Sequence, residues 1–467
     1  MKVLIIYPSN FFSSKWGKSY PFKPHLLSLL SILRLENDAD ILDLEMEIGK
    51  PDTNRDIEQF GKKARQLISR YKFDVVGISC WSSHNYLSSL LVARICKEVN
   101  KDSIVVAGGY HPSALPGDFI YEGSPFDFVI KGEGENSFFG LCREIKKRRH
   151  DISGMDRVIQ GAPLDLNGSM DLLDWKGYKY LPLHKGKQIL LYLSRGCPFS
   201  CSFCMEHSKG HRAWRSYSVE NAIRVVEEAI DIVRPVDVII CDPCFGMNKN
   251  WRRRFLSGLI RRKIDKIFWA AVRADTIEKE DVDLFSKLNF ILYIGLETGS
   301  EKMARIMRKA EDPKDYLKKS REIIAYLNEK KVFNLLHVLV NHPGESYETF
   351  KETIGFLKSI VMDRRHVSSV FLGQSFFFYP GSYVYNNIDY YEKEYGTVIV
   401  NKEWWKQEGD HYKLAYENIP STALIKKVKK MDYWKKEFDY LYDYSRQRIP
   451  AEIKLLLLKS AEKGVRF

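Results

Sequence analysis

Three cysteines fall within the stretch RGCPFSCSFC, residues 195–204: Cys197, Cys201 and Cys204. Their spacing is C-x3-C-x2-C. Two cysteines would suggest a dithiol and four would close a zinc site; three leave one position of whatever they hold without a protein ligand. A tight loop of this length can wrap one iron–sulfur cubane and give thiolates to all but one of its irons. The remaining iron is then open to a substrate or cofactor. Zinc completed by His207, or three unlinked thiols, are the alternatives that spacing alone leaves standing. Cys241 and Cys244 form a further C-x2-C pair. A second cluster or a radical-reactive thiol would use such a pair, but cysteine is among the most often buried residue types, so two packed thiols at a strand end are expected.

Chemistry of this kind needs a scaffold that fixes the loop. From KQILLYLSRGC onward the chain alternates strand and helix, with strand candidates ILLYLS, DVIICD, IFWAAVR, FILYIGLE, FNLLHVLV and SVFLGQSFFFY. Six such units predict a partial (β/α)6 barrel over residues 186–385. The cysteines follow its first strand, at the C-terminal end where barrels of parallel strands carry their chemistry. Residues 1–150 also alternate: KVLIIYP, ADILDL, FDVVGISC, SIVVAGG and FDFVIKGEGE read as strands between helical runs such as KPHLLSLLSILRLEN. That pattern predicts a doubly wound, Rossmann-like α/β domain with a parallel sheet, which binds ligands beyond the carboxyl ends of its strands. Gly108 and Gly109 stand at one such end, where a backbone without side chains lets a ligand come close. Residues 151–185 lose the alternation and read as a linker with short edge elements. Residues 386–467, rich in Tyr, Trp, Lys and Glu, read as a small helical C-terminal cap.

The cysteine loop resembles that of the radical S-adenosylmethionine enzymes, whose signature is C-x3-C-x-aromatic-C, with Phe203 in the aromatic slot. The resemblance covers roughly residues 186–385 and includes CDPCFGMN, AVRADTI, GLETGS, VNHPGES and FYPGS after successive strands. It implies a 4Fe–4S cluster on the three cysteines whose open iron chelates S-adenosylmethionine, and reductive cleavage to a 5′-deoxyadenosyl radical. It implies Asp242 near the methionine amine, Glu297 on the ribose hydroxyls, and Phe203 and Ser300 in the same site. Arg273 is a plausible fork for the methionine carboxylate, and the glycines at 295 and 299 are expected to let the chain pass close to the nucleoside. The first domain resembles the cobalamin-binding domain of class B members, on DVVGIS, VVAGGYHPSALP and FDFVIKGEGE. That implies cobalamin between sheet and barrel, contacted by Pro8, Trp81, Ser82, Gly108, Gly109, Tyr110 and Glu133. The Asp-x-His-x-x-Gly motif is absent, since the chain reads YPSNFFSSKWG there, so no histidine is expected on cobalt. His84 and His111 are the nearest histidine candidates, and Trp16 or Trp81 could face the corrin.

The totals fit an enzyme of several domains. The chain has 467 residues, 45% hydrophobic, enough for more than one packed core. No run approaches a membrane span. Eight cysteines, unevenly spread, do not make a disulfide framework, so a reducing cytoplasm is the expected setting. The net charge of +13 reads mainly as solvated helix faces such as KKRRH, and nucleic acid is not an expected partner. Together these readings predict a cobalamin-dependent C-methyltransferase acting on an unactivated carbon. The rivals are a non-methylating radical reaction (cyclisation, carbon–carbon coupling or oxidation) and an iron–sulfur electron carrier. The expected partners are a ferredoxin- or flavodoxin-type electron donor and a substrate that is a protein, a peptide or a small molecule.

Overall fold

A computed structural model describes residues 1–12, 21–169, 173–362, 369–423 and 433–454. Trp16 lies outside them, as does the side chain of His207. Continuous apolar runs become strands buried on both faces, as parallel sheets require. The first sheet contains β1 (Lys2–Tyr7), β2 (Asp38–Asp43), β3 (Val75–Ser79), β4 (Ile104–Gly108), β5 (Phe128–Lys131) and β6 (Val158–Gln160). Its order is β2-β1-β3-β4-β5-β6, all parallel. The chain steps outward from β1 to β2 and then crosses to β3 on the other side of β1. The carboxyl ends of β1 and β3 therefore flank a topological switch point, where sheets of this type bind ligands.

The short strand β6 is one of the edge elements expected of residues 151–185, and it carries the first sheet past residue 150. The rest of that segment is a buried joint. Trp175, Tyr178, Tyr180 and Leu181 pack into one continuous core with the helix Pro24–Leu33 and with the barrel. The Tyr180 hydroxyl accepts from Asp43 N at 3.0 Å and donates to Glu47 at 2.9 Å.

The second sheet contains β7 (Ile189–Leu191), β8 (Asp237–Ile240), β9 (Ile267–Val272), β10 (Asn289–Glu297), β11 (Asn334–Val340) and β12 (Ser369–Ser375). All pair in parallel in sequence order, and β7 and β12 are the free edges of an open barrel. Amphipathic helices between the strands begin at side-chain caps: Ser218 before Val219–Val233, Asn248 before Lys249–Arg261, Asp312 before Pro313–Glu329 and Ser346 before Tyr347–Val361. Each cap satisfies backbone donors that the first turn leaves free.

The C-terminal region has the expected helices, Ile388–Tyr395, His411–Tyr416 and Tyr433–Gln447, plus one short antiparallel pairing of Val398–Ile399 with Asn418–Ile419. It closes two faces. Trp404 and Trp405 are buried in the core of the first domain, where Trp405 Nε1 donates to Asp118 at 2.8 Å. Ile449 and Ile453 join Ile267, Trp269, Phe333 and Leu335 near the starts of the barrel strands, sealing that end with apolar side chains. Among the described residues no helix is long and apolar enough to cross a membrane.

Candidate active site

The cysteine loop leaves β7 and is held at several points. Ser194–Arg195 pairs antiparallel with Arg215–Ser216, which pins the start of the loop. Gly196 has φ +81°, and a Cβ there would lie 2.3 Å from Ala213 O, so the turn into Cys197 requires glycine. Ser202 N donates to Met307 O at 2.8 Å, its hydroxyl meets His342 Nε2 at 2.8 Å, and its carbonyl accepts from Val384 N at 3.0 Å. The loop is thus fastened to the far side of the barrel mouth. Cys197, Cys201 and Cys204 line one wall of a cavity of about 720 Å³. Among the described residues no group of three His, Cys, Asp or Glu side chains could hold a single metal ion. Thiols that share a cavity wall without closing on one point suit a cubane, whose irons are separate, rather than zinc. Burial pushes the Cys204 thiol up to about 12 and raises Cys197, so iron has to displace protons as it binds.

The same cavity reaches Phe203, Arg273 and Glu297. Arg273 stacks on Phe199, its guanidinium carbon 3.6 Å from the ring centroid, and its Nη1 lies 3.7 Å from Cys201 Sγ. Its remaining donors are taken by Asp275, at 3.0 and 2.8 Å, and by Lys309 O at 2.8 Å. The guanidinium therefore faces the cluster loop, and its fork is filled by a carboxylate of the chain itself. Glu297 ends β10 at a bulge and has φ +65°, a rare conformation for a non-glycine residue and one associated with functional sites. Lys309 Nζ lies 3.2 Å from its carboxylate. A Cβ on Gly295 would lie 2.7 Å from Glu297 Oε1, so that glycine makes room for the ion pair. Gly299 serves packing: its Cβ would meet Phe356 Cβ at 2.3 Å.

A second cavity lies at the switch point of the first sheet and reaches the barrel. It is lined by the apolar Ile5, Gly77, Ile78, Val106, Ile130 and Phe138 and by His25, Trp81, Tyr110, Tyr192, Arg195 and Lys209. Gly108 lines it with nothing within 4 Å of where a Cβ would stand, space that any side chain would fill. Gly109 differs: with φ +123°, its Cβ would lie 2.1 Å from Cys80 O, so it is needed for packing against β3. The cavity measures about 130 Å³. Glu133 lines the cavity but is tied to Arg215, and accepts from Leu164 N at 2.8 Å. Tyr110 donates to Glu206 at 2.6 Å, which links this cavity to the cysteine loop. Pro243 lines both cavities.

Several residues expected in the sites lie elsewhere. Asp242 lines neither cavity; it accepts from Leu193 N (2.8 Å), Ser194 N (3.0 Å) and Ser194 Oγ (2.6 Å), clamping the loop after β7 to the end of β8. Burial raises its pKa to about 7 against the pull of those bonds. Ser300 caps the helix Glu301–Ile306 and binds Glu352. Pro8 and Ser82 do not line the second cavity, and Ser82 begins a capping box with Asn85. His84 is enclosed by Trp404, Tyr412 and His411, and His111 binds Ser83 and Asp118; neither lines this cavity. Cys241 and Cys244 are free thiols pushed up to about 12 by burial. Cys244 nevertheless lines the first cavity. Sequence reasoning missed His25, Pro243 and Lys309. His25 stacks on Trp81 at 4.4 Å, and its Nε2 meets Ser79 Oγ at 3.2 Å. A switch-point helix opening with Pro-His was the one signal for it.

Comparison with known proteins agrees with this geometry. Residues 191–357 match the Radical SAM superfamily and residues 24–141 match the B12 binding domain. An uncharacterized methyltransferase of Pyrococcus horikoshii is 28% identical over 387 residues, 78% of this chain and 79% of that protein. The anaerobic magnesium-protoporphyrin IX monomethyl ester cyclase of Rubrivivax gelatinosus is 25% identical over 62% of this chain and 55% of its own length. The solved radical S-adenosylmethionine methyltransferase TsrM of Kitasatospora setae shares the fold with a TM-score of 0.68 at 15% identity, over 96% of this chain and 90% of its own. The cofactors of the two matched families are a 4Fe–4S cluster, S-adenosylmethionine and cobalamin. The first match includes Cys197, Cys201, Cys204, Arg273 and Glu297, and the second includes Gly108 and Gly109. The two matches fall in order along the chain, the B12 binding domain ahead of the Radical SAM superfamily.

Proposed function

We propose that the chain is a cobalamin-dependent radical S-adenosylmethionine methyltransferase that methylates an unactivated carbon. The observation that carries this reading is Pro243, a single loop residue that lines both cavities. Two cofactors placed on either side of it would act on one substrate without long-range transport. When bound, the cluster with S-adenosylmethionine supplies a carbon-centred radical and cobalamin supplies a transferable methyl group.

The chain's own residues hold and orient. Cys197, Cys201 and Cys204 ligate the cluster, and Arg273 places positive charge beside Cys201 while remaining bound to Asp275. Glu297 accepts the ribose hydroxyls, and charge-assisted bonds are the strong ones; Phe203 forms wall beside them. Gly108 leaves the second cavity open for the nucleotide tail, and Trp81 and Tyr110 face the ring. The apolar seal at the strand starts keeps water from the barrel interior. Such a site needs no acid–base dyad, because its side chains position groups that react with each other. All eight cysteines are unbridged, which suits a reducing cytoplasm, and a ferredoxin- or flavodoxin-type protein is the proposed electron source.

The test is product analysis after anaerobic reconstitution with iron, sulfide and cobalamin. S-adenosylhomocysteine and 5′-deoxyadenosine should both form from S-adenosylmethionine under reduction. 5′-Deoxyadenosine alone would favour a non-methylating radical reaction, and neither product would leave only an electron carrier.

A further inference from the structure

We propose that the part of the substrate entering the cysteine-lined cavity is an uncharged aromatic ring bearing one O–H or N–H, and that His337 receives that group. The inference deepens the methyltransferase reading and rests on it for the reaction only. The charged side chains in the cavity wall are already engaged: Arg273 with Asp275, and Glu297 with Lys309. A charged group brought in beyond them would lose its hydration and gain no partner. The rest of the wall includes Phe199, Phe203, Tyr293, Phe377 and Tyr379. Phe377 and Tyr379 stack at 4.9 Å with 19° between their planes, and Tyr293 and Leu339 continue that surface across β10 and β11. Flat rings bury large area against such faces.

Among the uncharged polar side chains of the wall, which include Ser375 and the phenols of Tyr293 and Tyr379, His337 is the one imidazole. It stands on β11 between the buried residues Leu336 and Val338 and faces the cavity. Its ring lies 5.3 Å from that of Tyr293, and neither ring nitrogen has a hydrogen-bond partner among the described residues. Burial lowers its pKa, so the imidazole is neutral and offers one donor and one acceptor. That pair matches a hydroxyl or ring N–H and has no use for a carboxylate. On the cap, Lys402, Lys406 and Lys413 are paired with Glu392, with Asp118 and Glu403, and with Glu417. These lysines are not reserved for an acidic chain.

The experiment is equilibrium binding to the reconstituted holoprotein with S-adenosylmethionine, using 1-naphthol, 1-methoxynaphthalene and an acidic hexapeptide. Naphthol should bind about tenfold more tightly than its methyl ether, because a site built for a hydrogen bond rejects the analogue that lacks the donor. His337→Phe should erase that preference while still binding the ether, and His337→Gln should keep most of it. Equal binding of the two naphthalenes by the native protein would overturn the proposal. So would binding of neither, a preference that survives in His337→Phe, or displacement of naphthol by the hexapeptide. None of these readouts needs turnover, so a failure of methyl transfer and a failure of this proposal are seen separately.

Discussion

Asp242 and Glu297 both stand at the ends of barrel strands, and their surroundings give them different work. Asp242 is fully enclosed, and burial outweighs three hydrogen bonds, so its pKa rises from 3.8 to about 7. The native state then keeps a proton that the unfolded chain releases. Its contribution to stability is complete below about pH 4 and is lost as pH rises through 7, by an amount on the order of a few kcal/mol. Denaturant unfolding from pH 4 to 8 should show that slope, and Asp242→Asn should flatten it. Equal slopes in the two proteins would show that Asp242 ionises as it does in water. Glu297 instead faces the open cavity beside Lys309. Glu297→Ala should weaken S-adenosylmethionine binding to the holoprotein by about 1.5–3 kcal/mol, the worth of a hydrogen bond to a charged group. Unchanged affinity in a folded variant would reduce Glu297 to an ion-pair partner of Lys309.

At the level of elements, two adjacent glycines separate packing from binding. Gly109 has no room for a Cβ, whereas Gly108 faces open space. Gly108→Val should fold, since β4 is a strand and valine favours strands, but it should lose cobalamin, read as corrin absorbance after gel filtration. A Gly108→Val protein that retains cobalamin would move the tail out of this cavity. The strands themselves were legible in the sequence because apolar runs such as FDVVGISC have one reading when bounded by turn residues. The strand β6 was legible only as a short edge element, since Val158–Gln160 carries no apolar run. Asp242 and Ser300 were misplaced for a common reason. A motif fixes where a residue sits along a strand end, whereas the direction of its side chain depends on which backbone donors lie nearby, here those of Leu193 and Ser194 for Asp242 and that of Met303 for Ser300. His25 escaped notice because its place in the cavity depends on how the helix Pro24–Leu33 lies across the switch point.

Across the whole molecule, two cavities meet at one loop, that of Pro243. Buried aromatics of residues 173–181 join the two domains into one core, Trp404 and Trp405 fasten the cap to the first domain, and Tyr110 bonds to Glu206 across the boundary. These contacts hold the sheet's switch point against the barrel mouth, so the separation of the two cofactors is set by packing. The most direct measurement is electron paramagnetic resonance of the reconstituted protein poised with cobalt(II) and a reduced cluster, both paramagnetic. Each signal should be broadened or split by the other, and the cobalt signal should sharpen in Cys201→Ala, which lacks the cluster. Two unperturbed signals that simply add, or a cobalt spectrum identical with and without the cluster, would contradict this arrangement.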